Sequence, residues 1–437
     1  MSTIIILGAG PSAIVCALIL MRQGHQVLLI GQYRRQFLLE GASSRAYEAL
    51  RRMGCIGALN MFPERWVRCS TWGGKTSQVN GEYVVERGLL DRLLIDDFVK
   101  NGGRFIEGMV LNTSYQKRGW LVTYGDSYQQ AQRVEGDFLV EARGRSAPKT
   151  APNQIAGPIG VALSRRFLSL KRGVRRTLTE SFPEGWAWVT QDLDGKVSIQ
   201  LIVDSETLRE EQHCGLAAIH ARLLSRHSYV SQELGVLKPL GEVSVRGVQP
   251  LLRGDLISAC HLRLGDAAYC VDPLSGHGMY EAMAGAFAAA PAINTIITRP
   301  DLIDLACRFY EQRARHTFYL RCKAGVELYT NERRWSDEHF WAVRQNWNAG
   351  YFPEHNQNGR SVLVKPVVEQ DLIVERQVIV TNEYPQGIRF LAGVELPALQ
   401  DRLANRQGRL DKALLARELG VSLIQLDSAL SWMGEGL

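Results

Sequence analysis

Residues 3–30 constrain this chain more than any other stretch. Thr3-Ile4-Ile5-Ile6-Leu7 is a short β-branched run that ends in Gly8-Ala9-Gly10-Pro11-Ser12-Ala13. Apolar residues then recur at helical spacing (Ile14, Val15, Ala17, Leu18, Leu20, Met21) as far as Gly24, and Val27-Leu28-Leu29-Ile30 reads as a second buried strand. Strand, glycine turn, helix and strand within about 30 residues form the setting in which GxGxxA holds a dinucleotide. Gly8 permits the tight turn, Gly10 lets backbone approach a pyrophosphate, and Ala13 allows close helix–strand packing. The helix start at Pro11 and Ser12 supplies amides and a positive dipole to the anion. An acidic residue normally closes the second strand to hold the adenosine ribose, but Gly31-Gln32 stands here, so that contact falls to Gln32. The turn alone does not separate FAD from NAD.

Residues 264–290 make that separation. Leu264 leads into Gly265-Asp266-Ala267-Ala268, followed by Asp272-Pro273-Leu274-Ser275-Gly276-His277-Gly278-Met279 and an alanine-rich helical stretch to Ala290. This resembles the GD and DPxxGxG segments of FAD-dependent aromatic hydroxylases and of their relatives, the flavin-dependent halogenases. The resemblance implies that Asp266 binds the ribityl chain of FAD and that Pro273 packs near the isoalloxazine. It also implies that amides around Gly276, Gly278 and Met279 stabilise negative charge on the reduced ring. His277, inside the motif, is a candidate acid–base group, with a structural loop histidine as the plainer alternative. Three weaker segments resemble the same family. Phe138 to Ser146 is a strand running into Ala142-Arg143-Gly144-Arg145, with Gly144 near the cofactor. Leu39 to Arg45 is a loop over the flavin, with Arg45 either touching FAD or solvating a helix. Val85-Glu86-Arg87 is a strand-to-helix passage, with Arg87 at the cofactor.

The implied fold is α/β. A Rossmann-type FAD domain is split over residues 1–155 and 251–300, a substrate-side sheet occupies 156–250 and a helical segment 301–350. The implied chemistry is oxygenation by a C4a-hydroperoxide formed from reduced FAD and O₂, with the protein positioning the substrate ring and excluding water. No second GxGxxG is present, so the reductant is either NAD(P)H bound transiently or reduced flavin from a separate reductase. Gly185-Trp186-Ala187-Trp188-Val189-Thr190 puts two tryptophans on one face of a strand. It resembles the WxWxIP signature of the halogenases, but Thr190-Gln191 replaces Ile-Pro. Lys75 is the nearest candidate for a halogen-carrying lysine. The tryptophans serve either sheet packing or the substrate.

The remaining features set limits. Hydrophobic residues are 46% and charged residues 22%, an ordinary globular balance, and 437 residues suggest two or three domains. The net charge of +6 is mild and suits an anionic cofactor. Eight cysteines without a CxxC pair fit reduced thiols in a cytoplasmic protein and give no metal site. The first apolar run meets Gly8 too soon for a signal peptide, and no stretch of about 18 apolar residues predicts a membrane span.

Residues 301–345 read as helix with dense aromatics, and 348–362 as a linker. A small domain at 363–437 follows: Leu372 to Val380 as a strand, then helices at Ala413–Leu419 and Leu423–Met433 about Gly420. Helix, turn, helix suggests a winged-helix-like module. The second helix has Gln425, Asp427, Ser428 and Trp432 but no Arg or Lys, which argues against nucleic acid and for protein docking. With this tail the chain resembles the flavoprotein monooxygenases that modify a peptidyl tryptophan during cysteine tryptophylquinone formation. It is more distantly similar to those that mature lysine tryptophylquinone enzymes. The resemblance implies tryptophan hydroxylation in a partner polypeptide as a post-translational step of quinone cofactor biogenesis. Small-molecule aromatic hydroxylation, halogenation and a non-catalytic flavin-bound assembly role remain the alternatives.

Overall fold

The computed structural model describes residues 2–117, 119–126, 130–149, 155–276, 278–350, 360–405 and 410–434. His277 and most of the expected linker, residues 351–359, lie outside them.

Five parallel strands form the first sheet, in spatial order His261–Arg263, Phe138–Glu141, Thr3–Leu7, Gln26–Gly31 and Arg104–Glu107. Ile4, Ile5, Ile6 and Leu7 are fully buried on both faces, as a parallel sheet covered on each side demands. One face carries the helices Pro11–Arg22 and Gly278–Thr298, which share a core with Arg87–Lys100. The other packs against an antiparallel meander, Met109–Gln116, Gly119–Gly125 and Ala131–Gly136, through Val122 and Tyr124. Alanines dominate Gly278–Thr298 because the helix lies close to its neighbours: Ala286, Ala289, Ala290 and Ala292 are fully buried.

The second sheet has eight strands and reaches beyond residues 156–250. To Gly160–Ser169, Arg176–Phe182, Gly185–Gln191, Lys196–Asp204 and Leu237–Gly247 it adds three strands from earlier in the chain: Leu39–Ala42, Trp66–Trp72 and Lys75–Glu86. Alternation decides its two faces. Ala187, Val189, Ile199 and Leu201 pack against the helices Leu216–Leu224 and Ser228–Leu234. Trp186 and Ile202 point the opposite way, into a cluster with Tyr329, Phe340 and Trp341 from the helices Ile303–Thr330 and His339–Gln345.

The C-terminal module has its own core, built from Leu396, Leu399, Leu415, Leu426 and Leu430 of the helices Leu396–Ala404, Lys412–Leu419 and Leu423–Trp432. The expected turn is present, with Gly420 left-handed and Ser422 and Gln425 forming a capping box. A hairpin, Ser361–Glu369 with Leu372–Val380, joins this module to the helix Gly278–Thr298. Gln370 and Asp371 both take positive φ at its two-residue tip. That tip is gripped by the long helix: Asn294 Nδ2 donates to the Asp371 carbonyl at 2.8 Å, and Ile373 N donates to Thr295 Oγ1 at 2.8 Å. Among the described residues no helix is long and apolar enough to cross a membrane.

One buried carboxylate ties the sheet to the helix end. Glu332 accepts from the Gly73 amide at 2.7 Å, from Ser181 Oγ at 2.5 Å and from Arg334 Nη2 at 2.8 Å. Burial works against its ionisation, but the bonds from Arg334, Ser181 and Gly73 outweigh it and hold the carboxyl at about 2. A depressed acid stabilises the fold above its unfolded pKa and loses that contribution as pH falls through the folded one. Glu332→Gln should therefore lower the melting temperature at neutral pH. Its difference from wild type should narrow as pH falls from 4.5 toward about 2, as thermal melts across that range will show.

Candidate functional site

The glycine turn and the GD segment meet in space. Gly8 has φ +109°, and a Cβ there would run into the Ala142 carbonyl, so the turn fits only as glycine. Gly10, by contrast, faces open space: nothing lies within 4 Å of where its Cβ would stand. It caps the helix Pro11–Arg22 without any side-chain hydrogen bond, and no acidic residue occupies the first turn. Pro11 sits at the helix start, and Ser12 and Ala13 are buried. The first-turn amides are thus left to an outside anion. Gly265, at φ +60°, lies so near that a Cβ would fall 2.6 Å from Ser12 Oγ. Two segments more than 250 positions apart therefore form one wall.

Asp266 follows at the bottom of a recess. Its side chain is 48% open, yet protein crowds it closely enough that desolvation lifts its carboxyl above the usual range. Arg145 Nε lies 3.9 Å from Oδ2 and opposes that rise, as Arg87 and Arg34 do, while Glu40 adds to it. Gly144, at φ +64°, places the 3₁₀ turn Gly144–Ser146 against Asp266. An open carboxylate flanked by guanidiniums, beside uncapped helix amides and an empty glycine face, has the donor set of a ribityl–pyrophosphate site. The residues present fit FAD. Gln32 is exposed just past the second strand.

Two predicted arginines are engaged with protein. Arg87 is largely buried and bonds Glu40 Oε2 at 2.6 Å and Asp91 Oδ1 at 3.1 Å, while Asp91 also takes Arg34 Nε at 3.0 Å. Sequence patterns do not announce this network, because a loop, a strand and a helix supply Arg34, Glu40 and Asp91. Arg45 stands over the Tyr280 ring at 5.7 Å. It borders a cavity of about 180 Å³ with Arg313 and Arg321 between the two long helices.

The DPxxGxG loop is anchored from beneath. Asp272 caps Pro273–Ser275 by accepting from the Leu274 amide at 2.9 Å, and Gly276 ends that turn at φ +63°. Gly278 starts the long helix, and Met279 is buried in the core. Burial pushes the Asp272 carboxyl up, opposed by the Leu274 amide, Arg344 and Tyr329. The Tyr329 hydroxyl donates to Asp272, 3.0 and 3.1 Å from its two oxygens, and accepts from Trp186 Nε1 at 3.2 Å. Trp188 Nε1 donates to Glu82 Oε1 at 3.2 Å, which also accepts from Thr177 Oγ1 at 2.7 Å. The tryptophan pair thus lies between the sheet and the flavin loop, and Tyr329 and Glu82 are partners that the sequence did not reveal. Lys75 is exposed at the hairpin turn opposite Trp72.

No protein-family model matches the sequence. Solved structures do match it. QhpG, described as a peptidyl tryptophan dihydroxylase essential for tryptophylquinone cofactor biogenesis, is 32% identical, with 99% of each chain covered and a TM-score of 0.82. The flavin-dependent halogenase CmlS shares the fold at 18% identity, covering 100% of this chain and 92% of its own, with a TM-score of 0.73. In sequence, a tryptophan 2-halogenase of Chondromyces crocatus is 21% identical over 384 residues, which is 78% of this chain and 70% of the relative. Full-length identity with QhpG and the shared flavin fold show that this chain belongs to the FAD-dependent hydroxylase and halogenase superfamily, alongside QhpG, as an FAD-dependent oxidoreductase.

Proposed function

We propose that this enzyme hydroxylates a tryptophan side chain within a partner polypeptide, as a step in building a cysteine tryptophylquinone cofactor. The observation that carries the reading is the end-to-end similarity to QhpG, which includes the C-terminal module that a flavin domain does not need. FAD, when bound and reduced, supplies oxygen activated from O₂. Gly8, Gly10, Pro11, Ser12 and Ala13 hold its pyrophosphate, Asp266 and Gly144 its ribityl region, and Gln32 its adenosine side. The Gly276, Gly278 and Met279 amides and Pro273 meet the ring. Arg87 sets the charge beside the crevice while held by Glu40 and Asp91, and Arg45 orients the helix start through Tyr280. Trp188, partly exposed and backed by the buried Trp186, forms the aromatic wall against which a substrate ring lies. Electrons come from NAD(P)H or from flavin reduced by a separate reductase.

The division into a split flavin domain, a substrate sheet and a docking module is part of the same reading. In the winged-helix-like module at 363–437, Leu423 and Ile424 expose 50% and 80% of their surface at the start of the last helix, an apolar face suited to a protein partner. Halogenation is less well supported, because Lys75 is exposed at a hairpin turn and Thr190 follows the tryptophan pair.

Three outcomes test these assignments. Gly10→Val should purify without FAD and melt like wild type stripped of FAD, since its side chain meets only the open crevice; Gly8→Ala should lose both stability and flavin. His277→Ala should retain FAD but hydroxylate more slowly, and an unchanged rate would remove the acid–base role. A tryptophan-bearing partner polypeptide, incubated with enzyme, FAD, reductant and O₂, should gain about one or two oxygen atoms by intact mass and none under anaerobic conditions. No gain with flavin bound and reducible would return the reading to small aromatic substrates.

A further inference from the structure

The eight-stranded sheet ends on Leu237–Gly247, and among the described residues no strand pairs its outer side. Such an edge presents unpaired N–H and C=O groups, which proteins usually block. The first half of this strand is blocked. Pro239 has no N–H, Gly241 is left-handed at φ +72°, and the register shifts between Ser164 and Arg166. The second half pairs regularly, with Ser244 to Gly247 opposite Ser164 to Val161, and contains neither proline nor a left-handed residue. Protection is lifted where the strand approaches the flavin crevice.

Two contacts place the open half there. Arg246 Nη2 donates to Gln36 Oε1 at 2.7 Å, and Arg246 lies near enough to Arg34, Glu40 and Arg87 for their charges to bear on it. Val248, next in the chain, packs in the cluster that holds Trp186, Trp188 and Leu274 of the flavin loop. The hairpin that carries the C-terminal module, by comparison, meets the long helix at Asn294 and Thr295. Asn294 is sixteen residues beyond Gly278, roughly 24 Å along the axis. A polypeptide held only by that module needs a second contact to bring its tryptophan to the flavin.

We propose that Ser244–Gly247 supplies it by taking an extended segment of the substrate polypeptide as an added strand. The inference rests on the polypeptide reading above. Main-chain pairing gives affinity that tolerates sequence variation, and side chains along the edge add preference. Arg246 is the charged residue of Ser244–Gly247 and has Arg34 and Arg87 near it, Arg166 on the neighbouring strand covers the Phe37 ring at 4.9 Å, and Val245 is 41% exposed. The occupant is therefore an extended stretch carrying the target tryptophan among acidic neighbours.

The test uses full-length protein with oxidised FAD and a fluorescein-labelled peptide in which aspartates flank one tryptophan. In an added strand only alternate N–H groups face the edge. Of two peptides N-methylated on alternate nitrogens, one in each phase, one should bind like the parent and the other at least about tenfold more weakly by anisotropy. The parent should also slow hydrogen exchange within Ser244–Gly247, and Val245→Asp should weaken binding with FAD content unchanged. Equal affinity of the two methylated peptides, equal loss in both, no binding of the parent, or unprotected amides at 244–247 would each overturn the proposal. Binding is read without turnover, so a peptide that adds to the edge yet never gains oxygen refutes the hydroxylation reading and leaves the edge assignment standing.

Discussion

Parallel pairing of Phe138–Glu141 with Thr3–Leu7 on one side and with His261–Arg263 on the other brings the two halves of the cofactor crevice together. The chain leaves all three strands at the same end of the sheet, so Gly8, Ala142 and Leu264 each begin a turn over one crevice. Close approach there leaves no room for side chains: a Cβ on Gly8 meets the Ala142 carbonyl, and one on Gly265 meets Ser12. The alanine-rich helix after Gly278 can pack on the Pro11–Arg22 helix only because both are thin at the crossing, with Ala13, Ala17, Ala286 and Ala289 fully buried. Backbone proximity is thus the condition for the site, and glycine and alanine are how the sequence meets it.

That condition explains what could be read in advance. Gly8 and Gly265 signal themselves because the backbone permits few alternatives at each, whereas Gly10 and Asp266 are marked by their place in the two motifs. The helix–Gly420–helix turn was equally legible, through its left-handed glycine and its Ser422 cap. Less visible were features that depend on strands meeting from distant places. Trp66–Trp72 pairs with Arg176–Phe182 and carries Lys75–Glu86 and then Leu39–Ala42 into the second sheet, a long-range pairing that no local pattern encodes. Arg87 could be singled out from its strand-to-helix passage, but not the Glu40 and Asp91 carboxylates that hold it.

Charge around the crevice follows from those partners. Arg34, Arg87, Arg145 and Arg246 converge on it, and left unpaired so many cations would repel one another. Glu40 and Asp91 take up part of that charge while keeping the guanidiniums in place, and Asp266 remains the open acceptor. Burying Arg87 is tolerable because it carries two carboxylate bonds. The surplus positive field is what a pyrophosphate and an acidic polypeptide segment would each use, on adjoining sides of the same loop.

The tryptophan pair shows how the second sheet limits what a substrate can find there. Trp186 has its indole N–H committed to Tyr329, which is in turn committed to Asp272 under the flavin loop; Trp188 has its own committed to Glu82. Neither ring keeps a donor for a ligand. Freeing one would strand a buried acceptor, at a cost of about 1–3 kcal/mol. Trp186 is 4% exposed, so the pair offers only the partly exposed ring of Trp188, set on a packed base that Trp186 couples through Tyr329 and Asp272 to the turn at Pro273–Ser275. A ring that reaches Trp188 is selected by shape and stacking. On the proposed polypeptide reading, orientation toward the flavin would come from the main chain that carries the ring, which a free indole lacks.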